Sequence, residues 1–503
     1  MSHQVMFLKK SAVFLSFCIS MSLSLSLHAQ QFNGYINSDF SGVIGLRDQP
    51  AQAANSPYKF DLNLINSNFY LGNNIAVLTR NEEGGSGLIR QLGFDERYIT
   101  GNLSLGGVSA LLSLSRNRGF AFGYRLRALA NGTDISPNFV NQINRFSAPP
   151  FVNRSYFDET AKLSSMAWQE FSMTYAGVLK DDGYHRWKMG LTLKAANPTG
   201  HVWFDLSDAD YSIDANGIVD FDRFDVAAGY SSNLDTYEQF DGNEEMKILP
   251  KGVGWTFGGA DIGLIYERVA YRPAPKTEAQ TSLNRDITYE FRVSASITDI
   301  GTMKMDYGSA SFLSTGLNPN ASSTNLSRVL DSLNSFREFR DSLSTLIQTQ
   351  DVTGQYSVSL PTAFRLNYDY NFGNNFFVNA AAVADLSWLM PSDYRVSYAN
   401  SLTITPRYET GSYGLYLPVF HNFAGDTEVG LAGRLGPLTL GTHTLRTLFA
   451  SEKKSMGFFF SINLNQLKAN ARKPYCFGSS RTGSALVRTQ RTPLYKRKKF
   501  VFF

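Results

Sequence analysis

Apolar and polar residues alternate with period two over long stretches of this chain. Ile287, Tyr289, Phe291, Val293, Ala295 and Ile297 take turns with Thr288, Glu290, Arg292, Ser294, Ser296 and Thr298. The same rhythm runs from Phe364 to Phe372, from Trp187 to Ala195 and from Met456 to Leu464. Successive side chains of a strand point to opposite faces, so these segments predict strands with one apolar and one polar face. Strands of soluble proteins average about five or six residues, whereas a membrane-barrel crossing takes about 9–11. The runs here have nine to twelve, a length that predicts membrane crossing.

Turn residues separate the runs. Asp181-Asp182-Gly183, Asn117-Arg118-Gly119, Asn216-Gly217, Thr410-Gly411-Ser412 and Gly373-Asn374-Asn375 read as hairpin tips. Consecutive hairpins make an up-and-down meander, and in lipid its edges must close because no water is there to satisfy them. The predicted fold class is therefore all-β, a closed antiparallel transmembrane β-barrel of about 14 strands, within a range of 12 to 18. Near Gly258-Gly259 the apolar phase shifts, which predicts a bulge inside one long strand. The longer, outward-facing loops are expected at 131–165 and 231–251.

Several regions break the rhythm. Lys9 and Lys10 precede an apolar stretch from Ala12 to Leu27 and a small residue, Ala29, so residues 1–29 read as a cleaved signal peptide. Residues 30–56 are rich in Gly, Asn, Gln and Ala and come before the first clear strand; the barrel is then expected over 57–467. Within it, 322–350 carries Leu326, Val329, Leu330, Leu333, Phe336, Phe339, Leu343, Leu346 and Ile347 at helical spacing, predicting one amphipathic helical insertion. Residues 468–503 form a basic tail, in which 469–503 hold nine Lys or Arg and no acid.

Composition agrees with strands: aromatics are 14% of the chain, charged residues 18%, and there are 41 glycines. After residue 29 no apolar run approaches the 18 or so residues of a transmembrane helix. Removing the tail's nine positive charges and the two signal lysines from the overall +4 leaves about −7 for residues 30–468, so the basic character belongs to the tail. Cys476 is the one cysteine after the signal region, which excludes an intrachain disulfide there. A solvated extension and a docking segment for anionic lipid or envelope proteins are both open for the tail, while nucleic acid is not expected as a partner.

Chemistry is sparse. His185, His201, His421 and His443 form no metal-binding spacing, no nucleophile elbow or phosphate loop is present, and no metal or cofactor is predicted. Only an unaided pairing of His185 or His201 with a serine would provide a nucleophile. An acidic stretch ends in Asp214-Ala215-Asn216-Gly217, with Asp220 and Asp225 following. Asp214, Asn216, Asp220 and Asp225 would make a weak cation site, against the plainer reading of a hairpin tip with a solvated acidic rim.

Scattered motifs add a resemblance. Ser41-Gly42-Val43-Ile44-Gly45 followed by Gln49-Pro50-Ala51, Tyr58 to Leu64, Gly259 to Tyr266, Ser296 to Gly301, Leu360-Pro361-Thr362 and Leu435 to Gly441 occur in this order. In that order they resemble an uncharacterised family of Bacteroidota outer-membrane proteins, distantly similar to FadL-type transporters of hydrophobic compounds. The resemblance implies an N-terminal hatch over 30–56 that plugs the lumen, with Gln49, Pro50 and Ala51 as gate residues; Gln49 stands where the FadL-type pattern has Asn. An ordinary periplasmic lead-in is the alternative. It further implies an outer-membrane location, contact with membrane lipid and lipopolysaccharide, and transport of hydrophobic or small solutes. A barrel that docks periplasmic or secretion components through its tail is the second function, and enzymatic activity is not expected.

Overall fold

The computed structural model describes residues 32–80, 86–90, 93, 95–115, 117–142, 148–237, 252–269, 289–318, 335–423, 425, 427–449 and 452–467. The signal region 1–29, the tail 468–503 and the first half of the expected 322–350 helix lie outside them.

Fourteen strands close on themselves, the number expected from the alternating runs. They are β1 (Tyr58–Asn73), β2 (Arg97–Gly106 and Ser109–Ser113), β3 (Arg118–Ile135), β4 (Arg154–Asp181), β5 (His185–Ile213) and β6 (Thr256–Val269). There follow β7 (Tyr289–Ile300), β8 (Ala363–Gly373), β9 (Phe376–Asp385) and β10 (Ser401–Glu409). The last four are β11 (Tyr413–Tyr416 and Val419–Asn422), β12 (Thr427–Val429 and Leu431–Leu435), β13 (Leu438–Thr442) and β14 (Ser455–Leu467). Each pairs antiparallel with the next, and β14 returns to β1 with Phe69 opposite Phe458. Closure leaves no open edge, the condition for a sheet in lipid.

The wall is turned inside out relative to a soluble protein. On β5, Trp187, Met189, Leu191 and Leu193 point outward, whereas Arg186, Lys188, Thr192 and Lys194 are buried. Leu191 is 46% exposed and its neighbour Thr192 only 3%. The same inversion holds on β8, where Leu366 and Tyr368 are outside and Arg365, Asn367 and Asp369 inside. An apolar belt around a polar interior is the signature of a transmembrane barrel. The bulge expected at Gly258-Gly259 is present as a register shift between Phe257 and Gly259.

One end of the barrel carries mostly short turns, at 182–184, 374–375, 410–412 and 436–437, together with the start of β1, the end of β14 and the longer connection 270–288, which lies outside the described residues. The other end carries the long connections, including parts of both expected loops, 131–165 and 231–251; 143–147 and 238–251 of these lie outside the described residues. Two features there differ from the sequence reading. Strands β4 and β5 have 28 and 29 residues, far more than a crossing of about 9–11 uses. Their far halves, with strands Val219–Tyr230, Phe312–Leu317 and Ile347–Asp351, build a lobe outside the membrane. In that lobe the polarity reverts to the soluble order, with Leu206, Tyr211, Phe224, Phe312, Phe339 and Leu343 in a common apolar core. The second difference concerns the helix expected over 322–350. In the described part it spans only Phe336–Leu343, and Ile347–Asp351 is a strand. Leu346 and Ile347 fit a helical stripe, but the free edge of Phe312–Leu317 offers backbone partners that an extended chain satisfies.

Leu191 lies at mid-wall between Tyr175 and Ile262. Leu191→Arg will lower folding stability in a lipid-bilayer denaturant titration by about 2–4 kcal/mol, while Leu191→Phe is tolerated. Equal tolerance of both would place this face in water.

Candidate functional site

The inward-facing polar side chains of this wall are buried by protein, so their partners must come from within the lumen. Residues 32–56 do this. Two short 3-10 turns, Asp39–Arg47 and Pro50–Ala53, fold the segment compactly, the first capped by Ser38 and the second by Gln49. Gly42 adopts φ +58, and a Cβ there would fall on the carboxylate of Asp61. That glycine lets Asp61, on β1, accept the Val43 N–H at 2.8 Å.

Contacts of this segment reach strands around the whole circumference, which places it inside the barrel. Asp39 pairs with Arg292 of β7 at 2.5 Å and accepts the Tyr289 hydroxyl at 2.6 Å. Asp48 pairs with Arg365 of β8 at 3.1 Å, and its carbonyl accepts the Ser296 hydroxyl at 2.5 Å. Ser38 donates to Glu409 of β10 at 2.5 Å, and Arg47 donates to Asn66 of β1 at 2.8 Å. Phe40 lies 4.8 Å beneath the Arg434 guanidinium of β12.

Gln49, Pro50 and Ala51 are all buried in the lumen. The Gln49 amide nitrogen donates to the carbonyls of Leu264 and Ala295 on β6 and β7, at 3.3 and 3.1 Å, while its oxygen accepts from Ala51 N–H. Gln49 thus ties the turn to the wall backbone. Opposite it, a Cβ on Gly190 of β5 would come within 2.4 Å of the Pro50–Ala51 backbone, so only glycine allows this approach.

A second body fills the long-loop end, and no sequence signal singled it out. Strands Thr302–Asp306, Gln355–Ser359 and Tyr394–Arg395 form a separate small sheet. Its Met303, Met305, Tyr356 and Val358, with Val396 and Tyr398 beyond it, pack on the inward-facing Leu129, Met166, Trp168 and Ala196 of the wall. The only trace in the sequence is a short period-two apolar pattern in each piece.

Between the two bodies lies a buried ionic layer. Arg127 holds Asp299 with two bonds of 2.7 and 2.9 Å and Glu170 with one of 3.0 Å, and stacks on Trp168. Lys194 joins Asp261 and Asp299 at 2.5 and 2.6 Å, and Arg125 reaches Glu170 at 2.8 Å. Tyr398 of the outer body accepts from Arg127 at 2.5 Å, and its ring lies 4.9 Å from the Arg365 guanidinium. Two voids between segment and wall hold about 30 Å³ each, one beside Arg47 and Arg125, the other beside Asp48 and Arg365. Each has room for about one water, far below the roughly 300–1,000 Å³ of a ligand pocket.

The cation residues expected from sequence are not gathered. Asp214 accepts the backbone N–H groups of Asn216 and Ile218, both at 2.8 Å, and these bonds hold its carboxyl below the usual range; it serves the hairpin tip. Asp220 is exposed on the strand that follows, and Asp225 stands opposite Asp208. Among the described residues the carboxylates that converge are Asp158, Asp208 and Asp210, with Arg223 already paired to two of them. Among the histidines, His201 meets Ser164 at 3.2 Å, but its other nitrogen faces the Tyr356 hydroxyl and the ring is fully buried. His185 pairs with Tyr266, His421 with Thr427 and His443 with Asn68.

Residues 50–443 match the family described as "Family of unknown function (DUF5723)". The chain belongs to that family. No curated protein matches this DUF5723 member. Solved structures similar to it include the toluene transporter TodX of P. putida, at 10% identity and TM-score 0.37, covering 86% of this chain and 95% of that one. The toluene transporter TbuX of Ralstonia pickettii has 10% identity and TM-score 0.35, covering 84% and 92%. A FadL homologue of Pseudomonas aeruginosa has 8% identity and TM-score 0.38, covering 87% and 98%. Likenesses this distant carry no statement about cargo.

Asp299→Asn strips the layer of the charge that Arg127 and Lys194 share. Breaking a buried ion pair from one side costs about 3–5 kcal/mol. The folded barrel, followed as its compact band on unheated gels, will therefore melt at a clearly lower temperature. An unchanged melting temperature would mean the layer is hydrated.

Proposed function

We propose that this DUF5723 protein is an outer-membrane channel held shut by its own N-terminal segment, with residues 32–56 as the gate. The short-turn end then faces the periplasm and the lobe faces outward. The observation that carries the reading is the polar, charged inner wall whose surplus cations are met by the segment through Asp39–Arg292 and Asp48–Arg365. A segment tied by side chains to a wall built from its own backbone ladder can leave without unfolding the barrel. The wall it would uncover carries Asn63, Asn66, Asn102, Thr174, Thr192 and many charged groups, which favours small water-soluble solutes over hydrophobic ones.

A second reading, a non-transporting barrel that docks other envelope components, draws on a different observation. The lobe has its own apolar core outside the membrane, and the lumen is filled from both ends. Such an architecture serves presentation of a surface as well as passage.

Single-channel recording in planar bilayers separates the two. The wild-type chain is expected to be silent. Asp39→Asn with Asp48→Asn leaves Arg292 and Arg365 short of a partner, at about 3–5 kcal/mol for each broken buried pair, so the segment loosens and the double variant conducts. Gly190→Val, which collides with Pro50–Ala51, should open the lumen by a steric route. If all three insert correctly and stay silent, the gate reading fails and docking takes its place.

A further inference from the structure

We infer that the uncovered lumen is an oxyanion-binding conduit, in which the carboxylates of Asp39 and Asp48 occupy the positions that solute carboxylates or phosphates take. The inference rests on the gate reading above and names the solute class for that same lumen.

Three arginines support it. Arg365 is 7% exposed, and Asp48 is its ion-pair partner; its other contacts are the Thr298 hydroxyl at 3.2 Å and the ring of Tyr398. Arg434 is 4% exposed and has no carboxylate within ion-pair distance among the described residues. It donates to the carbonyls of Thr410 and Gly411 and stacks on Phe40, and its Nε finds no hydrogen-bond partner. Arg292 has Asp39 at 2.5 Å and the Asn37 carbonyl at 3.0 Å, both from the segment, and from the wall the Tyr289 ring and a longer contact of 3.3 Å to Asp369, which Arg407 already holds with two bonds of 2.5 and 2.7 Å.

When the segment leaves, it removes both carboxylates, the Arg47 guanidinium and the ring of Phe40. Arg365 and Arg434 are then cations without anions, and Arg292 keeps one shared acid. The Ser296 hydroxyl, which donates to the Asp48 carbonyl, is a hydrogen-bond donor freed for an oxyanion, whereas the Tyr289 hydroxyl shares its one proton between Asp39 at 2.6 Å and Asp369 at 2.5 Å and keeps the latter. A guanidinium flanked by hydroxyl donors is a standard receptor for carboxylate and phosphate, and an unpaired buried charge seeks such a partner. Of the remaining acids of this region, Asp369 and Glu409 stay engaged by Arg407, while Asp61 on β1 loses the Val43 N–H and keeps Asn463, so an entering anion is drawn to the Arg365 side of the lumen.

The full-length Asp39→Asn/Asp48→Asn protein decides the matter by two readouts. In a potassium chloride gradient its reversal potential should show chloride preferred several-fold over potassium. Adding Arg365→Gln and Arg434→Gln should remove that preference, and Arg365→Lys with Arg434→Lys should restore it, which controls for loss of fold. Independently of conduction, calorimetric titration should show saturable binding of succinate and of inorganic phosphate to the double variant. Wild type, with its own carboxylates in place, should bind neither; binding of only one probe tells which oxyanion the lumen suits. A conducting double variant with no anion preference and no binding overturns this inference while the gate stands. A silent double variant that still binds succinate sinks the gate and keeps the anion site.

Discussion

A wall that faces hydrocarbon on one side has to put its polar side chains on the other, and once the sheet closes those side chains are confined together. This constraint governs the rest of the molecule. Fourteen antiparallel strands satisfy the backbone, but they collect arginines, lysines, aspartates and asparagines inside a tube. Unpaired, each charge would cost several kcal/mol of desolvation. The chain answers first with wall-to-wall pairs, such as Arg127 with Asp299 and Glu170. Where the wall runs short of acids, it answers with Asp39 and Asp48 from the N-terminal segment.

The lumen is therefore organised in three layers. The N-terminal segment fills the part nearer the short turns, a small sheet with Met303, Val358 and Tyr398 fills the mouth, and the ionic layer lies between. Arg365 touches both bodies, through Asp48 on one side and the Tyr398 ring on the other. Outside the membrane the same strands carry on into a lobe with ordinary polarity, because water, not lipid, now surrounds them. One pair of strands, β4 and β5, thus changes its inside-outside rule along its length.

How far the sequence reveals this depends on the range of the signal. Period-two alternation is local, so the strand number, the hairpin tips and the bulge near Gly259 were legible from Tyr289–Ile297, Asn374-Asn375 and similar stretches. The small sheet in the mouth was not, since Met303, Tyr356 and Tyr394 sit in pieces of two to five residues that only long-range pairing unites. The helical stripe through Leu346 and Ile347 misled because a strand edge outside the window offered better backbone partners. The acids from Asp205 to Asp225 misled for a related reason: hairpin register sets Asp210 against Arg223, while Asp214 turns to its own backbone. For Gln49, Pro50 and Ala51, local turn chemistry was readable, but the partners Leu264, Ala295 and Gly190 lie more than a hundred residues away.

In the resting barrel residues 32–56 are held folded inside the lumen by side-chain ties to the wall. Amide hydrogen exchange on the wild-type barrel measures this residue by residue. Val43, bonded to Asp61, and Ala51, bonded to Gln49, are expected to exchange orders of magnitude more slowly than free-peptide amides, yet faster than amides of β1 and β6, because the segment opens without the wall. Exchange of the whole segment within the first seconds, at the rate of a free peptide, would contradict it.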